Sequence, residues 1–247
     1  MMQTNFRLTL VIPAHNEEAL LPRLLDTVDV ARASYSFGAG AIEVIVADNA
    51  STDRTAEIAA ARGCRVVSVV TRAIAAARNG GAAHATSPIL AFVDADMQIH
   101  PETFNGIERA LADKDIVGGA TGVTLERWSL GLIATYAMII PIVLITGMDA
   151  GVVFCRRSDF LEVGGYDERR PVAEDIAFLW ALKRLGRSRR QRLTRLRSVK
   201  AIASTRKFDR HGDWHYFRGM ARLAVTRLRN PHTTEEFIRK YWYDDRG

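Results

Sequence analysis

The stretch Ile89-Leu90-Ala91-Phe92-Val93-Asp94-Ala95-Asp96-Met97-Gln98 runs five apolar residues into two carboxylates spaced i and i+2. A short apolar run ending in a polar loop reads as a buried strand, and on an extended chain residues two apart point to the same side. Asp94 and Asp96 therefore share a face where the strand gives out. Hard cations such as Mg²⁺ or Mn²⁺ take oxygen ligands, commonly one or two carboxylates completed by substrate phosphates, and Gln98 offers a further carbonyl oxygen. Taken alone, a D-x-D triplet is better read as a strand end with a solvated acidic turn, so its meaning depends on its surroundings.

Working outward, the same layout recurs. Residues 8–13 read as a first strand stopped by Pro13, followed by a helix to about residue 32 with Asn16 as its cap and Glu17 and Glu18 in its first turn. Residues 42–47 form a second strand that ends in Asp48-Asn49-Ala50-Ser51-Thr52-Asp53, with a helix over 55–62. A third strand over 66–70 leads, past Arg72, to a helix over 73–85 that carries Arg78 and Asn79. Strands alternating with helices at this interval mean βαβ units and a parallel sheet, whose ligands bind beyond the carboxyl ends of the strands. Pro13, Asp48 and Asp94 should then rim one crevice. The first turn lacks the G-x-G-x-x-G of a dinucleotide fold.

Beyond the D-x-D loop the pattern predicts a helix over 101–112 and a strand over 116–125, on which Gly118, Gly119 and Gly122 allow close approach. Another strand over 151–157, a short helix from Ser158, the turn Gly164-Gly165-Tyr166-Asp167-Glu168 and an amphipathic helix opening on Glu174-Asp175 follow. Two acids there suit the positive end of a helix dipole, and on sequence alone that is the better reading.

Four motifs, V-I-P-A-H-N-E-E (11–18), V-A-D-N-A-S-T-D (46–53), A-A-A-R-N-G-G (75–81) and F-V-D-A-D (92–96), resemble in order and spacing the nucleotide-sugar half of the family 2 glycosyltransferases. G-G-Y-D-E followed by Glu174-Asp175 continues the likeness to about residue 210. The resemblance implies a GT-A fold: a Rossmann-like α/β domain with a mixed, mostly parallel sheet flanked by helices. It implies a domain over 1–210, with a nucleotide-sugar half (1–125) and an acceptor half (126–210), before a basic helical extension over 211–247. Carried over by position, Pro13, Ala14, Asn16, Glu17, Asp48 and Ser51 would hold the base and ribose. Arg78, Asp94 and Ala95 would lie near the ribose or diphosphate, with Arg206 and Lys207 closing over the phosphates. Asp94, Asp96, Gln98 and His211 would ligate Mn²⁺ or Mg²⁺, and Asp175, helped by Glu174, would be the base. The chain departs from the family at Ala50, where many relatives have glycine. Where processive members have a tryptophan, Arg192-Leu193-Thr194-Arg195-Leu196 ends in leucine, so one sugar per encounter is expected.

The bulk numbers agree with an enzyme of this kind. At 247 residues and 48% hydrophobic, the chain has ample material for a core, and disordered or fibrous classes are excluded. Cys64 and Cys155 form no ligand pattern and no signal peptide is visible, so a cytoplasmic address is expected. The net charge of +6 is uneven, since residues 183–229 hold 16 Lys and Arg against 2 Asp and Glu. Residues 128–148 are 21 residues without a charge, read as a buried helix or as one lying in a membrane surface, with Pro141 against a full span. The aromatic and basic residues Trp214, Tyr216, Phe217, Arg218 and Arg222 suit the same surface.

The expected function is thus metal-dependent, inverting transfer of a hexosyl or N-acetylhexosaminyl group from a nucleoside-diphosphate sugar. The acceptor would be a glycan, lipid phosphate or small molecule, at an anionic membrane surface and without nucleic acid. The alternatives are a sugar-phosphate nucleotidyltransferase, which would want a Gly-rich first loop, and a non-catalytic anionic-lipid or nucleic-acid module using the basic block.

Overall fold

The computed structural model describes residues 6–146, 148–149, 151–170, 173–214 and 217. Most of the expected extension over 211–247, with Tyr216, Arg218 and Arg222, lies outside the described residues. The chain separates into two compact units: Met1–Thr124 with Met148–Ala203, and Leu125–Gly147 with Ser204–Gly247.

The first unit is built on an eight-stranded sheet ordered β3-β2-β1-β4-β7-β6-β8-β5. Strands β1 (Leu8–Ala14), β2 (Ile42–Asp48), β3 (Arg65–Ser68) and β4 (Ile89–Phe92) are parallel, while β7 (Val153–Arg156) runs antiparallel to β4 and to β6 (Ile116–Leu125). The two-residue β5 (Met97–Gln98) pairs antiparallel with β8 (Arg192–Ala203). The central strands are buried on both faces, as parallel strands under two helical layers must be. Alternation along β1 sends Leu8, Leu10 and Ile12 to one face, against α1 (Leu21–Ala33) and α4 (Thr103–Ala112). Val11 faces the other way, toward α3 (Ile74–His84), α6 (Arg157–Glu162) and α7 (Glu174–Ser188). Small residues let α3 sit close on the sheet: a Cβ at Gly81 would collide with Val11 and touch Ala47. Gly119 of β6 performs the same service on the other side, where a Cβ would run into the Thr194 carbonyl of β8.

Register brings the strand ends level. Ala14 pairs with Asp48 and Val11 with Phe92, so Pro13, Asp48 and Asp94 leave the sheet along one edge. Two local expectations are corrected there. Asn16 is not a helix cap: α1 begins at Leu21, without a side-chain cap or a first-turn acid, and α2 (Thr55–Ala61) follows the second loop. Asn16 instead takes a left-handed backbone (φ 53), its Oδ1 accepting from the Thr52 N–H at 2.8 Å and its own N–H reaching Ser51 Oγ at 3.1 Å. The long apolar stretch forms α5 (Leu130–Thr146), with Pro141 inside it, and among the described residues no helix is long and apolar enough to cross a membrane.

In the second unit, Arg127 ahead of α5 pairs with Asp209 of α8 (Arg206–His211) and with Asp213. That pairing holds the Asp213 carboxyl down at about 2.

Ala50 occupies a left-handed position (φ 56) where glycine would be unstrained. A Cβ there costs about 1–2 kcal/mol, against about 0.4–1 kcal/mol for the extra freedom glycine brings to the unfolded chain. Ala50→Gly is therefore expected to stabilise the protein by about 1 kcal/mol, read as a rise in denaturation midpoint at constant slope.

Candidate active site

The site grows from the loops at the carboxyl edge of the sheet. After β1 and β2 the two loops are stitched together: Ala14 carbonyl accepts from Asn49 N–H at 2.8 Å, Glu17 N–H reaches Thr55 Oγ1 at 2.8 Å, and Glu18 N–H reaches Asp53 Oδ2 at 3.1 Å. Asp48 sits at the last position of β2, its Oδ1 3.4 Å from the Ser51 N–H that it caps. Asn49 ties in the third loop by donating to the Val69 and Thr71 carbonyls at 3.0 and 2.6 Å. Pro13, Ala14, Asn16, Glu17, Asp48 and Ser51 thus form one continuous rim.

Two residues not assigned from sequence join it. His15 Nδ1 lies 2.8 Å from the Asn49 carbonyl and its Nε2 lies 2.7 Å from Arg72 Nη2. Arg72 has no acceptor on its guanidinium, so in this contact it is the donor and Nε2 the acceptor. A histidine inside the P-A-H-N motif was the signal for the first. Nothing local marks Arg72, which is 57 positions away from that histidine.

The centre of the site is Arg78. Small neighbours on α3 press it into the interior, where it is 6% exposed. Its Nη2 donates to Asp94 Oδ1 at 2.7 Å and its Nη1 to Glu174 Oε1, also at 2.7 Å. The guanidinium carbon lies 5.0 Å from the centre of the Tyr166 ring, which stacks on Phe178 at 4.3 Å and meets Phe92 edge-on. Asn79, next on α3, clamps the Gly-Gly turn: its Oδ1 accepts from Tyr166 N–H at 2.9 Å and its Nδ2 donates to the Tyr166 carbonyl. Burial opposes the charge on Arg78, but Asp94, Tyr166, Glu174 and Asp175 outweigh it and hold its pKa above the ordinary value. Burial pushes the Glu174 carboxyl up, with Arg78 pulling the other way.

Asp175 is half-buried, with its Oδ1 accepting from the Ile176 N–H at 2.8 Å. Asp94 is the more open acid of the Arg78 network, its side chain 40% exposed, while Ala95 is buried and Met97-Gln98 is held by Ala203 and Ile202 of β8. Among the described residues no three His, Cys, Asp or Glu side chains converge into a metal cage. Asp94, Asp96 and Gln98 nonetheless offer only oxygen, which suits a hard divalent cation completed by phosphates. Arg206, Lys207 and His211 all lie on α8 of the second unit.

Arg192-Leu193-Thr194-Arg195-Leu196 falls on β8, where Arg195 Nε donates to the buried Asp149 at 2.5 Å. Part of the basic block is thus consumed inside the first unit, as Arg189 is by Asp159 and Glu162.

The model of the family described as "Glycosyl transferase family 2" matches residues 9–132. An undecaprenyl-phosphate 4-deoxy-4-formamido-L-arabinose transferase of Pseudomonas paraeruginosa is 37% identical over 118 residues, covering 44% of this chain and 34% of the relative. The chain thus spans about a third of the length of that curated relative. Among solved structures, a mannosyltransferase from Pyrobaculum calidifontis with GDP-Man and Mn²⁺ superposes with a TM-score of 0.63 at 20% identity, covering 80% of this chain and 56% of that one. The glucosyl-3-phosphoglycerate synthase of Mycobacterium tuberculosis, with Mn²⁺ and UDP, gives 0.56 at 21% identity over 78% and 71%. At such identities the shared feature is the mixed, mostly parallel sheet of the GT-A fold. The family match takes in half the chain and all the loops that rim the crevice up to Asp96, and on it the chain belongs to glycosyl transferase family 2.

Proposed function

We propose that the chain transfers a hexosyl or N-acetylhexosaminyl group from a nucleoside-diphosphate sugar to an acceptor hydroxyl or phosphate, in a single displacement with inversion. The observation that carries this reading is the buried side chain of Arg78, which touches both Asp94 and Glu174 and so draws the D-x-D loop and the acidic pair to one crevice. Pro13, Ala14, Asn16, Glu17, Asp48 and Ser51 would seat the base and ribose. Asp94 and Asp96, with Gln98, would hold Mg²⁺ or Mn²⁺, whose chemistry when bound is to neutralise charge on a departing diphosphate. Asp175 would take the proton of the acceptor as it attacks, on the far side of the sugar from the diphosphate. A hydroxyl is a poor nucleophile at neutral pH, and a carboxylate within hydrogen-bond reach removes that obstacle.

A lipid-linked acceptor is favoured by α5. The helix carries no charged side chain, and Leu130, Ile133, Ala137 and Pro141 are all exposed. Their spacing of three, four and four residues is a single helix face, and Trp128, half exposed, stands at its start. An uninterrupted apolar stripe of this length suits the headgroup boundary of a bilayer. The relative named for undecaprenyl phosphate points the same way.

A thermal-shift screen of UDP-, GDP- and dTDP-sugars with Mn²⁺ tests the donor reading: a donor at about 100 times its Kd stabilises by about 2.7 kcal/mol. Stabilisation by none of them overturns it. With the donor so found, Asp175→Asn should lower turnover by about 10²–10⁴-fold and leave donor affinity nearly unchanged; a matching loss of affinity would move Asp175 into the donor site. Liposome flotation addresses the acceptor. Recovery with anionic vesicles above that with neutral ones is expected, and recovery with neither would leave a soluble acceptor.

A further inference from the structure

Resting on the proposed transfer reaction, we propose that Arg78 is the positioning residue that sets the distance between the donor-side carboxylate Asp94 and the base Asp175. The geometry that points to this is the start of α7. Its N-cap, Ala173, holds a left-handed backbone (φ 57) and makes no side-chain capping bond, so ordinary capping does not orient the first turn. The anchor is Glu174, the first residue of the helix, 7% exposed and bonded to Arg78. Asp175 is the next residue, and it moves wherever that turn moves.

A guanidinium is a planar fork with donors at fixed angles, so a carboxylate at each Nη is held at a set separation from the other. Lysine, a single point charge on a flexible stem, cannot do this. The Nε of Arg78 is shut off from solvent and has no hydrogen-bond partner. A buried donor left unmade is costly, and it is tolerated here because the two Nη groups dictate the orientation. The Tyr166 face, fixed by Asn79, backs the guanidinium and prevents it from swinging away. Glu174 thereby acts through Arg78 and α7.

The test uses Glu174→Gln, Arg78→Lys and the double variant, with the donor identified by the screen. Two quantities are read: donor Kd by calorimetry with Mn²⁺, and the rate of nucleoside diphosphate release at saturating donor. Each single variant is expected to lose about 10- to 100-fold in rate, since a misplacement of about 1 Å costs that much. Donor Kd should change less than about threefold in Glu174→Gln, and the double variant should be no slower than the slower single one, because the two side chains act as one unit. A folded Glu174→Gln within about twofold of the parent rate, or losses that multiply in the double variant, overturns the proposal. So does failure of both single variants to unfold cooperatively, which would make the pair a core element only. A parent that neither binds donor nor releases diphosphate overturns the transfer reading itself, an outcome distinct from an active parent with unaffected variants.

Discussion

A charged guanidinium in the interior of a protein costs several kcal/mol unless both its charge and its donors are met, and removing a single partner leaves an uncompensated charge. Arg78 imposes this constraint on the whole first unit. Asp94 must come off β4 on the side facing α3, α7 must begin where Glu174 can reach back, and the Gly164–Gly165 turn must deliver Tyr166 beneath the guanidinium. Around it, Phe92, Phe160, Tyr166 and Phe178 form a connected aromatic group, so the charged pair and the apolar packing are satisfied by the same few elements. Disturbing any of them exposes the others.

The rim of the crevice is held differently. There the loops after β1 and β2 bond to each other through side chain and backbone, and strain is accepted in return: Asn16 and Ala50 both take left-handed conformations. Ala173 does so before the acidic pair. Strained backbone persists only where its surroundings over-determine it, and it gathers where geometry serves function. Three of the four left-handed non-glycine residues among the described ones stand at this edge of the sheet or next to the acidic pair.

The basic character of the chain divides by use. Arg189, Arg192 and Arg195 pair with acids that lie outside residues 183–229, and Arg127 pairs with two acids in the second unit, so the excess of Lys and Arg in that block overstates what it offers to a partner. The exposure of Leu130, Ile133, Ala137 and Pro141 on α5 is less easily explained away, because a soluble surface rarely leaves so many apolar neighbours of one helix face uncovered.

Apolar runs sufficed for β1, β2, β4 and β6, because burial on both faces leaves a local trace, broken inside these strands only by Glu43 of β2 and its terminal Asp48; β6 matches its expected span to the residue. The family resemblance was equally legible in short motifs, since each loop must present fixed groups. β8 was not legible. Its arginines break the pattern, and only Val199 and Ala201 are fully buried, so the strand rests on its place between β6 and β5 in the sheet, with Arg195 met by Asp149, 46 positions away. Asn16 offered a good cap, yet bonds to Ser51 and Thr52, 35 and 36 positions on, outcompeted the helix. The bridge from Arg78 to Glu174 spans 96 positions. Strand burial and loop chemistry are local properties and can be read along the chain, whereas the partner of a buried charge is whichever group the topology brings beside it, and only the folded sheet decides that.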